Sequence, residues 1–279
     1  MHVAPFDNLN QPIFDTDNPL VPLVYFNIVK LRPGESHLSH VPGYETCIVP
    51  ATGTVDVETD GQRFAAIGQR RANVWDGEPE GVYVPTGAPA LITCRAEAEV
   101  FVAGARFDGH FPAFAVRGPD IDPVQYGSDD TKTHRKIKHI LGQKYHGRVG
   151  RLLVSELYTV GAGGWSGFPS HKHDQNRLPM ETRHDEVYNF RFNPAHGSGL
   201  QMLQREEGKS GDAYHIMNGS TVAIDKGYHP CCALPGYEMY YFTILGGLTQ
   251  RPLVQYFQPE HAYQIETIPG IKDMIAKFK

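Results

Sequence analysis

The stretch GWSGFPSHKHD places His171 and His173 two residues apart. On a β-strand successive side chains alternate faces, so both imidazoles point one way and Lys172 the other. Further on, DEVYNFRF puts Glu186, Tyr188, Phe190 and Phe192 on one face. A carboxylate among aromatic rings needs a cation or a strong partner to stay ionised. A third piece, DKGYHP, uses a glycine turn to present His229 at a strand boundary. With 14 histidines in the chain, an HxH pair alone carries little weight. Joined to a strand-borne glutamate and a turn-borne histidine, it predicts a site for one divalent ion. Three neutral imidazoles and a carboxylate suit Zn, Mn, Fe, Ni or Co. A six-coordinate ion would keep two positions open for water or substrate, unlike a closed structural zinc. Asp185 should face away from this site. His184 shares the parity of Glu186 and stands as an alternative fourth ligand.

Such residues need a rigid frame. Among 279 residues, 29 Gly and 21 Pro punctuate short apolar stretches rich in Val, Ile, Tyr and Phe. That texture predicts an all-β protein of sandwich or barrel type. The halves echo each other: GYETCIVP followed by GVYVPTGAP, then DEVYNFRF followed by TVAIDKGYHP. Matching Gly87 to Gly227 sets a 140-residue offset, which brings Glu45 within one residue of the place of Glu186. Two tandem barrels follow, over residues 1–108 and 151–279, with 109–150 between them. The linking stretch ends in HRKIKHIL, a strand or short helix. In the first barrel His37, His40 and Glu45 repeat part of the ligand pattern, but Pro89 stands where His229 would. No metal is expected there, and this barrel should cover the second or build a dimer. The tail IPGIKDMIAKFK places Ile271, Met274, Ile275 and Phe278 on one face of a short C-terminal helix.

A formal charge of −5 without a dense basic patch argues against nucleic acid. No apolar run reaches the roughly 18–20 residues that span a bilayer, and the N-terminal residues lack signal-peptide character. Cys47, Cys94, Cys231 and Cys232 suggest neither a disulfide framework nor a zinc ribbon, so a reducing, cytoplasmic setting is expected. Cys231 and Cys232 read as buried structural thiols.

HKHD, EVYNFRF, GLQ, GYHP and PGYEMYYFTILGG resemble the 5-deoxy-glucuronate isomerase family of myo-inositol breakdown. RRANVWDGEPEGVYVPTG and HRKIKHIL extend the resemblance, which runs from about Leu23 to Tyr263 and is strongest over Gly164–Gly247. That family is related to the 4-deoxy-5-keto-uronate isomerase of pectin breakdown, and both are two-cupin proteins. The resemblance implies two tandem cupin barrels and a metal-dependent aldose–ketose isomerase taking 5-deoxy-glucuronate to 5-dehydro-2-deoxy-gluconate. Carried over, the family's metal ligands fall on His171, His173, Glu186 and His229. The chain departs from the family's usual pattern at WSG before the HKHD run, at Asp225 and at Ser198, all around the pocket.

An isomerase of this kind moves a proton between adjacent carbons through an enediol. Glu186, Tyr188 and Tyr241 are the candidates for proton transfer. Tyr228 and Tyr237 beside His229, and Gln201 on the next strand, are candidates for sugar hydroxyls, although barrel interiors also use tyrosine as filling. A sugar acid also needs a cation for its carboxylate. Arg177 and Arg183, on the loop between ligands, are preferred over Lys172 and Arg191, which parity turns away. A cupin dioxygenase and a non-catalytic sugar-binding bicupin are the competing readings, and a homo-oligomer is compatible with either barrel.

Overall fold

Two long strands, Tyr44–Thr59 and Ala90–Arg106, shape the first half of the chain. A computed structural model describes the backbone of residues 1–278 and side chains through residue 276. The two strands pair along their lengths, but the register slips three times between Pro50 and Val55. Gly53 lies in that bend at φ +80°, where a Cβ would meet the Glu97 carbonyl oxygen at 2.2 Å, so only glycine fits. Beyond the bend each strand changes partner. Ala90–Arg106 pairs with Val24–Leu31 on one side of it and Ser36–Ser39 on the other. One strand pair thus serves both walls of a barrel filled by Ile48, Val55, Val57, Val82, Ile92 and Val100.

The second barrel sets a seven-stranded sheet against a four-stranded one. The larger sheet runs 2–3, 221–224, 184–193, 238–247, 152–159, 135–141, 122–126; the smaller runs 165–166, 231–233, 198–203, 212–217. A two-stranded ladder joins His171 to Phe257 and Lys172 to Tyr256. The architecture is therefore two cupin barrels, with helix of any length only at the C-terminus.

Strand pairing crosses the boundaries drawn from sequence. His2–Val3 pairs with Thr221–Val222 in the second barrel's sheet. Within 109–150, Phe114–Val116 completes the first sheet, while Asp122–Tyr126 and Arg135–Leu141 extend the second. HRKIKHIL is therefore a strand, and this stretch is sheet rather than connector, because pairing satisfies backbone groups that a sheet edge leaves open.

The barrels share a core. Phe26 and Phe101 of the first meet Phe242 of the second, with the Phe101 and Phe242 rings 4.7 Å apart. Two buried polar ties cross the same boundary. Glu45 is fully buried and accepts the backbone N–H groups of Gly150, Arg151 and Leu152 at 2.8, 2.5 and 2.8 Å. Arg70 forms a bidentate pair with Glu156, both bonds 2.6 Å, and the hydroxyls of Tyr158 and Tyr240 donate to the same carboxylate. The C-terminal helix Ile271–Phe278 lays Ile271 and Met274 against Val124, Tyr126 and Ile137, with Ile275 alongside. The side chain of Phe278 lies outside the described residues.

Candidate metal centre and pocket

His171 leads from the short ladder with Phe257, His173 follows two residues on, Glu186 sits on the central strand His184–Asn193, and His229 on a turn. That turn needs its glycine: Gly227 has φ +95°, and a Cβ there would lie 2.4 Å from the Gln204 carbonyl oxygen. Asp174 accepts the Gly227 N–H at 2.8 Å, tying the HKHD stretch to the His229 turn. Glu181, fully buried, accepts the N–H groups of Asp174 and Gln175 and so shapes the loop after His173.

These elements bring the ring nitrogens of His171, His173 and His229 within 4.8 Å of one another. Each imidazole directs Nδ1 at a backbone carbonyl: Pro169 for His171 at 3.0 Å, His184 for His173 at 3.0 Å, Gly227 for His229 at 2.8 Å. With Nδ1 donating, each neutral ring keeps Nε2 as an acceptor, the arrangement by which metal-ligating histidines are oriented, and at His171 the Gln255 amide lies 2.9 Å from it. The Nε2 atoms of His173 and His229 face Glu186 Oε2 at 3.1 and 3.3 Å. Acceptor set against acceptor repels unless a proton or a metal cation stands between them. Among the described residues, buried His229 Nε2 has no hydrogen-bond partner. The three imidazoles could hold one ion, and nitrogen donors of this kind fit a borderline divalent metal.

The electrostatics agree. Burial, reinforced by His229 and His173, holds His171 well below the usual 6.5. Burial opposes the charged form of His173 too, but the Glu186 carboxylate outweighs it and raises that histidine. Glu186 itself stays ionised: burial works against its charge, yet the imidazoles of His173 and His229 set against it carry it far below the ordinary carboxylate range.

A pocket opens beside this array, lined by His171, His173, Glu186, Tyr188, Tyr241 and Thr243 together with Arg135, and closed on one side by Met274 of the C-terminal helix. The Tyr188 and Tyr241 rings meet with centroids 4.5 Å apart and planes tilted by 50°, and the Tyr241 hydroxyl meets that of Ser166 at 2.6 Å. Burial pushes both phenols well above 10, with Glu186 adding to the shift at Tyr188 and Cys231 at Tyr241.

The other residues singled out from sequence lie elsewhere. Arg177 binds Glu181 at 2.8 Å and covers the Tyr256 ring, and Arg183 reaches Asp185 at 3.6 Å with 40% of its side chain exposed. Neither lines the pocket, because each has a nearer carboxylate of its own. The Tyr228 hydroxyl donates to Glu207 at 2.7 Å, and Tyr237 packs against His196 and Gly197. Gln201 is buried behind the His229 turn and donates to the His229 carbonyl at 2.9 Å, so it holds a ligand's backbone rather than facing the pocket. His184 turns its Nε2 to the Arg251 carbonyl at 3.2 Å, outside the array. Tyr240 sits at the barrel boundary with Glu156. Arg135 was missed, although alternation in HRKIKHIL would have paired it with Ile137, a second pocket residue.

Comparison with known proteins now decides the family. The family model described as KduI/IolB matches residues 4–264. The chain belongs to the KduI/IolB family. Among its relatives, the 5-deoxy-glucuronate isomerase of Geobacillus kaustophilus (strain HTA426) is 30% identical over 244 residues, covering 88% of this chain and 86% of that protein. A solved IolB-like protein of Salmonella typhimurium LT2 superposes with a TM-score of 0.85 at 27% identity, over 94% of this chain and 98% of that one. Oxalate decarboxylase of Bacillus subtilis, a cupin, aligns with a TM-score of 0.62 at 12% identity over 100% of this chain and 85% of that one, a likeness of fold alone. For this KduI/IolB chain, no helix among the described residues is long and apolar enough to cross a membrane.

Proposed function

We propose that the protein is a metal-dependent aldose–ketose isomerase of a deoxy-uronate, converting 5-deoxy-glucuronate to 5-dehydro-2-deoxy-gluconate in cytoplasmic inositol breakdown. The observation that carries this reading is the convergence of the Nε2 atoms of His173 and His229 on one Glu186 oxygen beside a hydroxyl-lined pocket. Family membership and the names of its relatives supply the substrate class.

In this reading His171, His173, Glu186 and His229 hold one divalent ion, from among Zn, Mn, Fe, Ni and Co. Bound there, the ion would polarise a sugar's carbonyl and neighbouring hydroxyl and make the intervening C–H more acidic. The remaining work falls to the chain. Tyr188 and Tyr241, kept protonated by burial, present O–H groups as acids toward the sugar's oxygens. Glu186, held ionised, is the nearest group able to accept a proton. Met274, Ile137 and Leu157 form an apolar wall that limits the access of water.

The test is His171→Ala, assayed for isomerisation by NMR, for bound metal by elemental analysis and for melting temperature. Turnover and bound metal should fall together while the fold persists. Turnover surviving in a metal-free variant would overturn the reading, and turnover that needs oxygen would replace isomerase with dioxygenase chemistry.

A further inference from the structure

Among the described residues, the deeply buried Arg and Lys side chains other than Arg135 have a carboxylate or several carbonyl acceptors, although Arg251 Nη1 stays unpaired. Arg70 has Glu156, Lys138 has Glu78, and Arg251 donates to the carbonyls of Leu141, Gly142 and Leu152. Arg135 is only 2% exposed, lines the pocket beside the histidine array, and forms no ion pair with any described carboxylate. Among the described residues, its guanidinium donates to the Phe168 carbonyl at 2.5 Å and its buried Nε has no acceptor. Its guanidinium is pinned in place over the Tyr126 ring, 4.5 Å from the centroid. A second orphan faces the same space: Thr243 Oγ1, also buried and without a partner.

A guanidinium buried without an anion is costly, and an uncharged acceptor recovers only part of that cost. Here the arginine lines the cavity that is also lined by His171, His173 and Glu186. The geometry points to Arg135 as the residue that binds the carboxylate of the sugar acid, with Thr243 taking a hydroxyl of the same molecule. In 5-deoxy-glucuronate the carboxylate and the aldehyde stand at opposite ends of the carbon chain. A cation at one end of the pocket and the histidine array at the other would fix which carbons meet the array. Arg135 is then the determinant that makes the pocket select acids over neutral sugars, a part the sequence had given to Arg177 or Arg183. Arg135 donates to Phe168, three residues before His171, so a purely architectural role in holding that loop is the rival to be separated.

The inference rests on the isomerase reading, and the experiment keeps the two failures apart. Metal-loaded wild type, Arg135→Met and Arg135→Lys are compared on 5-deoxy-glucuronate and on its uncharged methyl ester, with bound metal and melting temperature measured for each. Loss of a charge-assisted, bidentate contact should raise KM for the acid about 10- to 100-fold in Arg135→Met. In that variant kcat should change far less, metal content should stay, and the ester should be turned over within about threefold of wild type. Arg135→Lys, which keeps the charge and loses the fork, should fall between. Equal losses on acid and ester, or loss of metal in both variants, would overturn the inference and leave Arg135 as a loop anchor. If the wild type isomerises neither compound, the isomerase reading fails instead. Binding of D-glucuronate, followed by NMR, then decides the arginine: retained in wild type and lost in Arg135→Met supports it, and equal binding overturns it.

Discussion

Glu45→Gln is a one-atom change with a large expected cost. Glu45 lies at 0% exposure, and both carboxylate oxygens are fully used. Oε1 accepts from the backbone of Arg151 and Leu152, and Oε2 from Gly150 and the Tyr83 hydroxyl at 2.7 Å. An amide must put its NH₂ group against one of these pairs, so at least one backbone N–H loses its acceptor and faces another donor. The other oxygen keeps its bonds without the charge. One or two orphaned buried donors at about 1–3 kcal/mol each give a loss of roughly 2–5 kcal/mol. For a protein of this size that lowers Tm by about 5–15 °C. Because Phe26, Phe101 and Phe242 form one core across both barrels, calorimetry should show a single transition moved as a whole. A Tm within about 2 °C of wild type, or melting of one barrel with the other unmoved, would refute the idea that this carboxylate staples the barrels.

Other perturbations test separate parts. Gln201→Leu removes the donor that holds the His229 carbonyl, and chelator competition should show divalent-ion affinity down about 10- to 100-fold with the fold intact. Arg70→Met strands Glu156 as a buried lone carboxylate, which should cost about 3–5 kcal/mol in denaturant unfolding, and adding Glu156→Leu should recover most of it. Burial, with Asp15 adding at Tyr25 and Asp120 at Tyr145, pushes both phenols up to about 12. A raised folded pKa means their stabilising contribution is whole below about pH 10 and lost as pH rises through 12. Absorbance at 295 nm should therefore change together with far-UV dichroism, and ionisation that precedes unfolding would contradict it.

The histidine array was legible in the sequence because its signals are local. Parity fixes His171 against His173, a glycine turn presents His229, and alternation sets Glu186 on the aromatic face. The choice between Glu186 and His184 was not legible from parity, which treats them alike; it turns on His184 finding the Arg251 carbonyl. The arginine that lines the pocket was not legible, for the opposite reason. Arg177 and Arg183 lie near the ligands in sequence, yet each is claimed by a carboxylate of its own loop or strand. Arg135, some 36 residues before His171, reaches the pocket only through sheet pairing of Arg135–Leu141 with Leu152–Thr159. Glu45, which echoes Glu186 in sequence, is met by backbone donors where Glu186 faces histidines. The crossing of His2–Val3 into the second barrel left no trace, because two residues carry no periodicity.

Isomerisation at the histidine array can be followed directly by NMR. Metal-loaded protein is incubated with 5-deoxy-glucuronate in D₂O under argon and followed by NMR. The account predicts 5-dehydro-2-deoxy-gluconate without oxygen, deuterium on the carbon that had been the aldehyde, and loss of this turnover on stripping the metal. Product that forms at the same rate without metal, or only once oxygen is admitted, would contradict it.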